Sequence, residues 1–356
     1  MVSRSIQADH KDLIHDLAYD YYGRRLATCS SDQSVKVWDI GDEGQWLCTA
    51  SWKTHAGSVW KVTWAHPEFG QILATCSFDR TGMIWEEMIS ENSSGERNQS
   101  VWIKRHSFVD SRSSVTDIKF APKHLGLIVS TCSLDGMVRI YEAPDVMNIS
   151  QWSIQHEIPC GKALSSVSWN PSLHRQNSPM IAVGSDDTNA TNGAGAKIFF
   201  YEYSDQAREW LTITDRNWGG ITDIVHDISF APNVGRTYDL VGVATAKDVK
   251  IILIRYENPN EKESTASVAS SVISSNQRNR RVYTLRVLAT FEDHGSQVWR
   301  VSWNITGTIL ASSGDDGAVR LWKANCMDNW KNVGVLKADE NTIKNLSTKM
   351  NDNNLA

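Results

Sequence analysis

Short runs that alternate apolar and charged residues and close on an aromatic recur along the chain. Val35-Lys36-Val37-Trp38 and Val319-Arg320-Leu321-Trp322 show it best. β-Branched and aromatic residues in alternation, bounded by Asp, Ser and Gly, predict strands. Asp32-Gln33 and Asp316-Gly317, just before these runs, are tight-turn chemistry. An apolar run precedes each turn: Leu26-Ala27-Thr28-Cys29-Ser30, Leu73-Ala74-Thr75-Cys76-Ser77, Ser130-Thr131-Cys132-Ser133 and Leu310-Ala311-Ser312-Ser313-Gly314. Each phrase therefore reads strand, turn, strand. A further strand lies upstream, as His55…Val59…Val62…Trp64 and His294…Val298…Val301…Trp303, and His10…Ile14…Leu17…Tyr19 has the same spacing. A fourth strand opens on an aromatic at Trp46, Trp102, Trp152, Trp210, Tyr283 and Trp330.

A phrase of fixed wording that returns every few tens of residues is the mark of a repeat architecture. Asp32 and Trp38, Asp79 and Trp85, Asp135 and Tyr141, and Asp316 and Trp322 keep one spacing. The phrase resembles the WD repeat, and four strands per repeat make one blade of a β-propeller. The same frame fits three weaker repeats. Ser111, Cys160 and Ile221 then stand at the His position, and Tyr141, Tyr201 or Phe199, and Ile252 at the closing aromatic. That predicts six blades over residues 1–338, although at about 43 residues per blade length alone suggests seven.

The outer strand of blade six is supplied from within its own repeat, around Trp330 to Leu336. Residues Val2 to Ala8 are then surplus to the ring. Either they cap an edge of the ring or are disordered, or the ring is left open for a partner's strands; the open reading puts a seam in residues 2–54 and 294–338. Val2, Ser3, Ile6, Trp330, Val333 and Val335 are its candidate residues.

Net charge is −5, and no basic block offers a surface for direct nucleic-acid binding. No apolar run approaches the length of a membrane span, so no membrane insertion is expected. The N-terminus has no signal-peptide core, so no secretory lumen is expected and the sequons at Asn92 and Asn304 read as chance matches. Cys29, Cys76 and Cys132 share one strand position and read as small buried apolar residues, while Cys48, Cys160 and Cys326 show no pairing pattern. Residues 257–281 and 89–100 are polar and read as disordered loops within blades five and two. Residues 339–356 read as a flexible tail, in which Thr342–Met350 can form a short helix on a partner.

Ser, His and Asp recur together: His10, Ser30, Asp32 and Trp38; His55, Ser77, Asp79 and Trp85; Asp135; His294, Asp316 and Trp322. A hydrolase triad occurs once per site, with an oxyanion hole. This set repeats and has no nucleophile elbow. In WD repeats these residue types form an internal hydrogen-bonded chain from Trp through Ser and His to Asp, which is the expectation here. The set decays in blade three (Ser111), blade four (Cys160, with an insertion over Thr188–Ala196) and blade five (Ala246, Ile252). In blade six Gly314 stands for Ser. No metal site, cofactor loop or catalytic nucleophile is found. The Gly193-Ala194-Gly195 piece lacks a strand-to-helix setting, and the Asp186-Asp187 and Asp315-Asp316 pairs sit in turns. The expectation is a non-enzymatic binding scaffold that needs no cofactor.

The wording at 8–16 (Ala-Asp-His-Lys-Asp-Leu-Ile-His-Asp), at 54–70 and at 297–304 (Gln-Val-Trp-Arg-Val-Ser-Trp-Asn) is more specific. It resembles the SEC/SEH family of WD-repeat propellers over roughly residues 1–335. That family comprises a small nucleoporin and its sister, the propeller of the outer vesicle coat; the 8–16 wording favours the nucleoporin. The resemblance implies an open six-bladed propeller into which a helical-solenoid nucleoporin inserts a blade, within the Y-shaped coat of the nuclear pore at the nuclear envelope. It implies a second placement in the GATOR (SEA) complex, with a partner of similar build, regulating TOR signalling at the lysosomal surface. The competing reading is a ubiquitin-ligase substrate receptor or a histone or peptide reader. The ligase-docking Arg is absent after Trp38-Asp39.

Overall fold

The computed structural model describes residues 6–89, 100–172, 178–188, 195–213, 218–257, 282–325 and 328–337. Several expectations fall outside the described residues: residues 258–281 and 90–99 of the two polar loops with the Asn92 sequon, the core of the Thr188–Ala196 insertion, Val2, Ser3, Cys326, and the tail with Thr342–Met350.

The described residues form an all-β chain of six four-stranded antiparallel sheets, each made of four consecutive strands. Blade one holds β1 (Ile14–Tyr19), β2 (Arg25–Ser30), β3 (Ser34–Ile40) and β4 (Trp46–Lys53). Blade two holds β5 (Val59–Trp64), β6 (Ile72–Ser77), β7 (Gly82–Ile89) and β8 (Ser100–Phe108). Blade three holds β9 (Val115–Phe120), β10 (Ile128–Ser133), β11 (Met137–Glu142) and β12 (Ser153–Pro159). Blade four holds β13 (Leu164–Trp169), β14 (Met180–Ser185), β15 (Ile198–Ser204) and β16 (Glu209–Thr212). Blade five holds β17 (Val225–Phe230), β18 (Asp239–Thr245), β19 (Val249–Glu257) and β20 (Val282–Phe291). Blade six holds β21 (Val298–Trp303), β22 (Ile309–Gly314), β23 (Ala318–Ala324) and β24 (Trp330–Lys337). Blades one to four form one compact unit, blades five and six another.

The alternation in sequence becomes two faces in space. Ala27 and Cys29 of β2 face Val37 and Val35 of β3 across the ladder. All four are buried against Val59 and Val62, from the first strand of blade two. Blade two repeats the arrangement with Ala74, Cys76 and Ile84 against Val115 and Ile118 of blade three, and blade three with Cys132, Val138 and Ile140 against Leu164 and Val167 of blade four. In the other unit Ala244, Val249 and Ile251 lie against Val298 and Val301. Each such branched side chain contributes about 1.5–3 kcal/mol on burial. The shared cysteines are therefore packing residues: small enough to let the next strand approach.

Register settles the closing aromatic of blade four. Ile181 pairs with Tyr201 as Leu73 pairs with Trp85, so Tyr201 holds the place and Phe199 does not. Each first strand also carries a bulge that skips one residue, at His15, Trp60, Thr116, Ser165, His226 and Trp299. A bulge bends a strand and re-aims its side chains. Here it turns the next residue, such as Asp16 or Asp117, toward the following blade.

Candidate interaction surface

The repeated polar residues come together in blades one, two and six. His10 Nδ1 lies 3.0 Å from Asp32 Oδ2, and His10 Nε2 lies 2.9 Å from Thr28 Oγ1. Trp38 donates its indole N–H to the same Thr28 hydroxyl at 3.0 Å. Since the indole only donates, the hydroxyl passes its own hydrogen to Nε2, leaving Nδ1–H for the carboxylate. Blade two repeats the chain through Trp85, Thr75, His55 and Asp79, and blade six through Trp322, Ser312, His294 and Asp316.

The hydroxyl in the middle of this chain is not the one expected. Ser30 and Ser77 sit two residues farther on, at the strand end, where each accepts the backbone N–H of its aspartate at 3.1 Å. The relay hydroxyls are Thr28, Thr75 and Ser312, whose side chains share a face with Trp because they are its near neighbours across the ladder. The Ala-Thr-Cys-Ser wording carries both hydroxyls, and only the threonine faces the tryptophan. Gly314 therefore costs blade six no relay. A Cβ there would lie 2.5 Å from the Gln297 carbonyl oxygen, so the backbone leaves no room for a side chain.

Blade three rebuilds the network around a cation. Arg139 donates to Asp135 at 3.0 Å, to Ser111 Oγ at 3.1 Å and to Glu157 at 2.9 Å, and Ser133 donates to Asp135 as well. Tyr141 donates its hydroxyl to Asp110 at 3.1 Å. In blade four Tyr201 meets Cys160 Sγ at 3.3 Å, and burial pushes the Cys160 thiol up to about 11. Blade five turns both ends apolar, with Ile221 and Ile252 buried. Its turn is held instead by Asp248, which accepts from Thr245 Oγ1 at 2.7 Å and pairs with Lys250. Asp248, Arg139 and the relay threonines carry no signal in the repeated phrase that marks their roles.

Burial alone would raise the turn aspartates, but hydrogen bonds outweigh it. Ser34, the Lys11 N–H and His10 hold Asp32 well below the ordinary carboxylate range. His55 and Thr81 do the same for Asp79, Ser133 and Arg139 for Asp135, and His294, the Ala318 N–H and Arg320 for Asp316. The His10, His55 and His294 side chains are almost wholly out of solvent. Such satisfied, dry chains lock turns. Among the described residues no His, Cys, Asp and Glu group could hold a metal.

Two faces break the pattern of burial. On β1, Ile14, Leu17 and Tyr19 are 45%, 55% and 54% exposed. Their equivalents at the first two of these positions (Val59 and Val62, Val115 and Ile118, Leu164 and Val167, Val225 and Ile228, Val298 and Val301) are all buried. In blade six, Ala311, Ser313, Val319 and Leu321 are only half-buried, whereas their equivalents in the other five blades are buried. The remaining seam candidates divide. Ile6 is exposed, and so are Val333 and Val335. Trp330 is buried, its ring edge-on to Trp303 at 5.7 Å inside its own blade's core, and so presents no free surface.

Four-stranded blades built on a repeated Trp–hydroxyl–His–Asp chain define a WD-repeat β-propeller. The WD domain, G-beta repeat family (WD40) matches residues 3–39, 43–86, 102–142 and 285–323. These spans leave out blade four and most of blade five, where the polar chain is lost. Proteins called nucleoporin SEH1 are similar over almost the whole chain. The one from Bos taurus is 57% identical over 352 residues, 99% of this chain and 93% of its own. The one from Homo sapiens is also 57% identical over 352 residues, 99% of this chain and 93% of its own. Nucleoporin SEH1-A from Xenopus laevis is 59% identical over 344, 97% of this chain and 91% of its own. The chain belongs to the SEH1 nucleoporin family.

Proposed function

We propose that this protein is a non-enzymatic scaffold subunit of the nuclear pore's Y-shaped coat, at the nuclear envelope. A helical-solenoid nucleoporin inserts a blade in trans; the leading face of blade one and the trailing face of blade six are each candidate surfaces for it. The observation that carries the reading is burial. Positions buried elsewhere in the chain are exposed at Ile14 and Leu17 and only half-buried at Val319 and Leu321. A bare apolar face marks a protein interface. Strand addition on it supplies backbone and side-chain contacts together, over an obligate area above ~2,000 Å². The relatives' name supports the assembly.

Affinity purification of the full chain tests this. Wild type is expected to bring down a solenoid nucleoporin, and Leu17→Asp and Leu321→Asp to lose it by more than about tenfold, since each buries a charge. Retention by both variants would overturn the reading. On the family resemblance we extend the proposal to a second assembly, the GATOR (SEA) complex at the lysosomal surface, whose subunit of similar build uses the same faces. Loss of lysosomal staining in the same variants is the check.

A further inference from the structure

Three inter-blade clasps share one chemistry. Asp16 Oδ2 accepts the Val62 N–H at 3.3 Å, Asp117 Oδ2 the Val167 N–H at 3.0 Å, and Asp227 Oδ2 the Val301 N–H at 3.1 Å. A tryptophan of the receiving blade answers each. Trp64 donates to the Ala18 carbonyl at 3.0 Å, Trp303 to the Ser229 carbonyl at 2.9 Å, and Trp169 to Ser130 Oγ at 2.8 Å. The clasps join blades one to two, three to four and five to six.

The blades alternate accordingly. Leading blades carry Asp16, Asp117 and Asp227 after the bulge; trailing blades carry Lys61, Ser166 and Arg300 there. Three positions on, trailing blades have Trp64, Trp169 and Trp303, and leading blades have Tyr19, Phe120 and Phe230. Phenylalanine has no polar hydrogen to give. Tyr19 has one, so blade one alone among the leading blades keeps a donor at the clasp position. Leu17 stands in the register of Val62 and Val301, opposite Thr28 as they are opposite Thr75 and Ser312. Both residues are exposed.

We infer that blade one is also the trailing half of a fourth clasp, whose leading half is a partner strand bearing one inward aspartate. Its carboxylate takes the Leu17 N–H, and the main-chain carbonyl two residues on takes the Tyr19 hydroxyl, as Asp16 and Ala18 serve Val62 and Trp64. This rests on the partner-supplied blade proposed above. It adds the chemistry by which that blade is recognised and its register fixed.

The test uses the complex purified with the full chain. A photo-crosslinking residue at exposed Ile14 locates the partner strand, and its aspartates are replaced singly by alanine. One of them is expected to weaken binding about tenfold or more, and Tyr19→Phe about three- to tenfold, the range of single net hydrogen bonds. If Leu17→Asp abolishes the complex while Tyr19→Phe and every aspartate variant bind like wild type, the clasp is wrong and the partner reading stands. If Leu17→Asp leaves the complex intact, with an unchanged urea midpoint showing it folded, both fail.

Discussion

Trp322 donates its indole N–H to Ser312 Oγ at 2.8 Å, and that hydroxyl lies equally close to His294 Nε2. One buried oxygen thus satisfies two rings. Ser312→Ala strands both and is expected to cost about 1–3 kcal/mol, read as a lower urea midpoint. Gly314→Ser, which restores the wording of blades one to three, is expected to destabilise as well, because its Cβ meets the Gln297 carbonyl. A stabilised Gly314→Ser protein would refute the relay assignment.

Asp32, Asp79, Asp135 and Asp316 are all held below their ordinary value of 3.8. Burial works against this, and hydrogen bonds to the ionised form win. A folded value below the unfolded one stabilises in full above the unfolded value and is lost as pH falls through the folded one. Melting temperature is therefore expected to fall with acidification from about pH 4 downward. Asp79→Asn is expected to lower the plateau above that range and flatten the acid limb. A limb unchanged in slope would count against these carboxylates.

Arg25 ties blade one to blade two. It donates to Asp39 at 2.7 Å, Glu87 at 2.9 Å and Gln71 at 3.2 Å, and stacks over Trp64 and Trp102 at 5.4 and 5.8 Å. Arg25→Lys keeps the charge and loses the planar fork and the stack. A loss of about 1–3 kcal/mol is expected for the lysine variant, close to that of Arg25→Ala. Full rescue by lysine would show that charge alone matters.

Asp117 is wholly buried and accepts two amides, Ile118 at 2.9 Å and Val167 at 3.0 Å. Asp117→Ala orphans both, so a loss of about 2–5 kcal/mol is expected. Amide exchange at Val167 should quicken more than at Val183, its partner inside blade four. Equal acceleration at both would place the effect in general instability.

Strand order, blade number and the closing aromatics of blades one, two, three and six were legible because each depends on spacing within one repeat. The choice between Tyr201 and Phe199 needed the register of blade four. The relay hydroxyl was misplaced because Thr28 and Ser30 are two apart on one strand, and only cross-strand register shows which faces Trp38. Arg139 and Asp248 were missed because they replace the usual chemistry with a different residue at a shifted position. Asp16 and Asp117 act across blades, and without the bulge nothing in the local pattern tells that they aim outward. The surplus segment at Val2–Ala8 points to an open ring without saying which side chains line it. The structure leaves Leu17 exposed and Leu321 half-buried, and puts Trp330 in the core.

Every sheet is made of four strands that follow one another in the chain. Hydrogen-bonded ladders therefore close within one repeat, the longest connection being that between β19 and β20, and local closure costs little entropy. A blade can complete its pairing as soon as its fourth strand leaves the ribosome, without waiting for a strand from the far end of the chain. Synthesis and assembly are then separate events in time. The polypeptide finishes its own backbone pairing first, and the exposed Ile14, Leu17 and Tyr19 of β1 stay in contact with solvent after that pairing is complete. That interval is when the unassembled subunit is most open to aggregation or to chaperone capture.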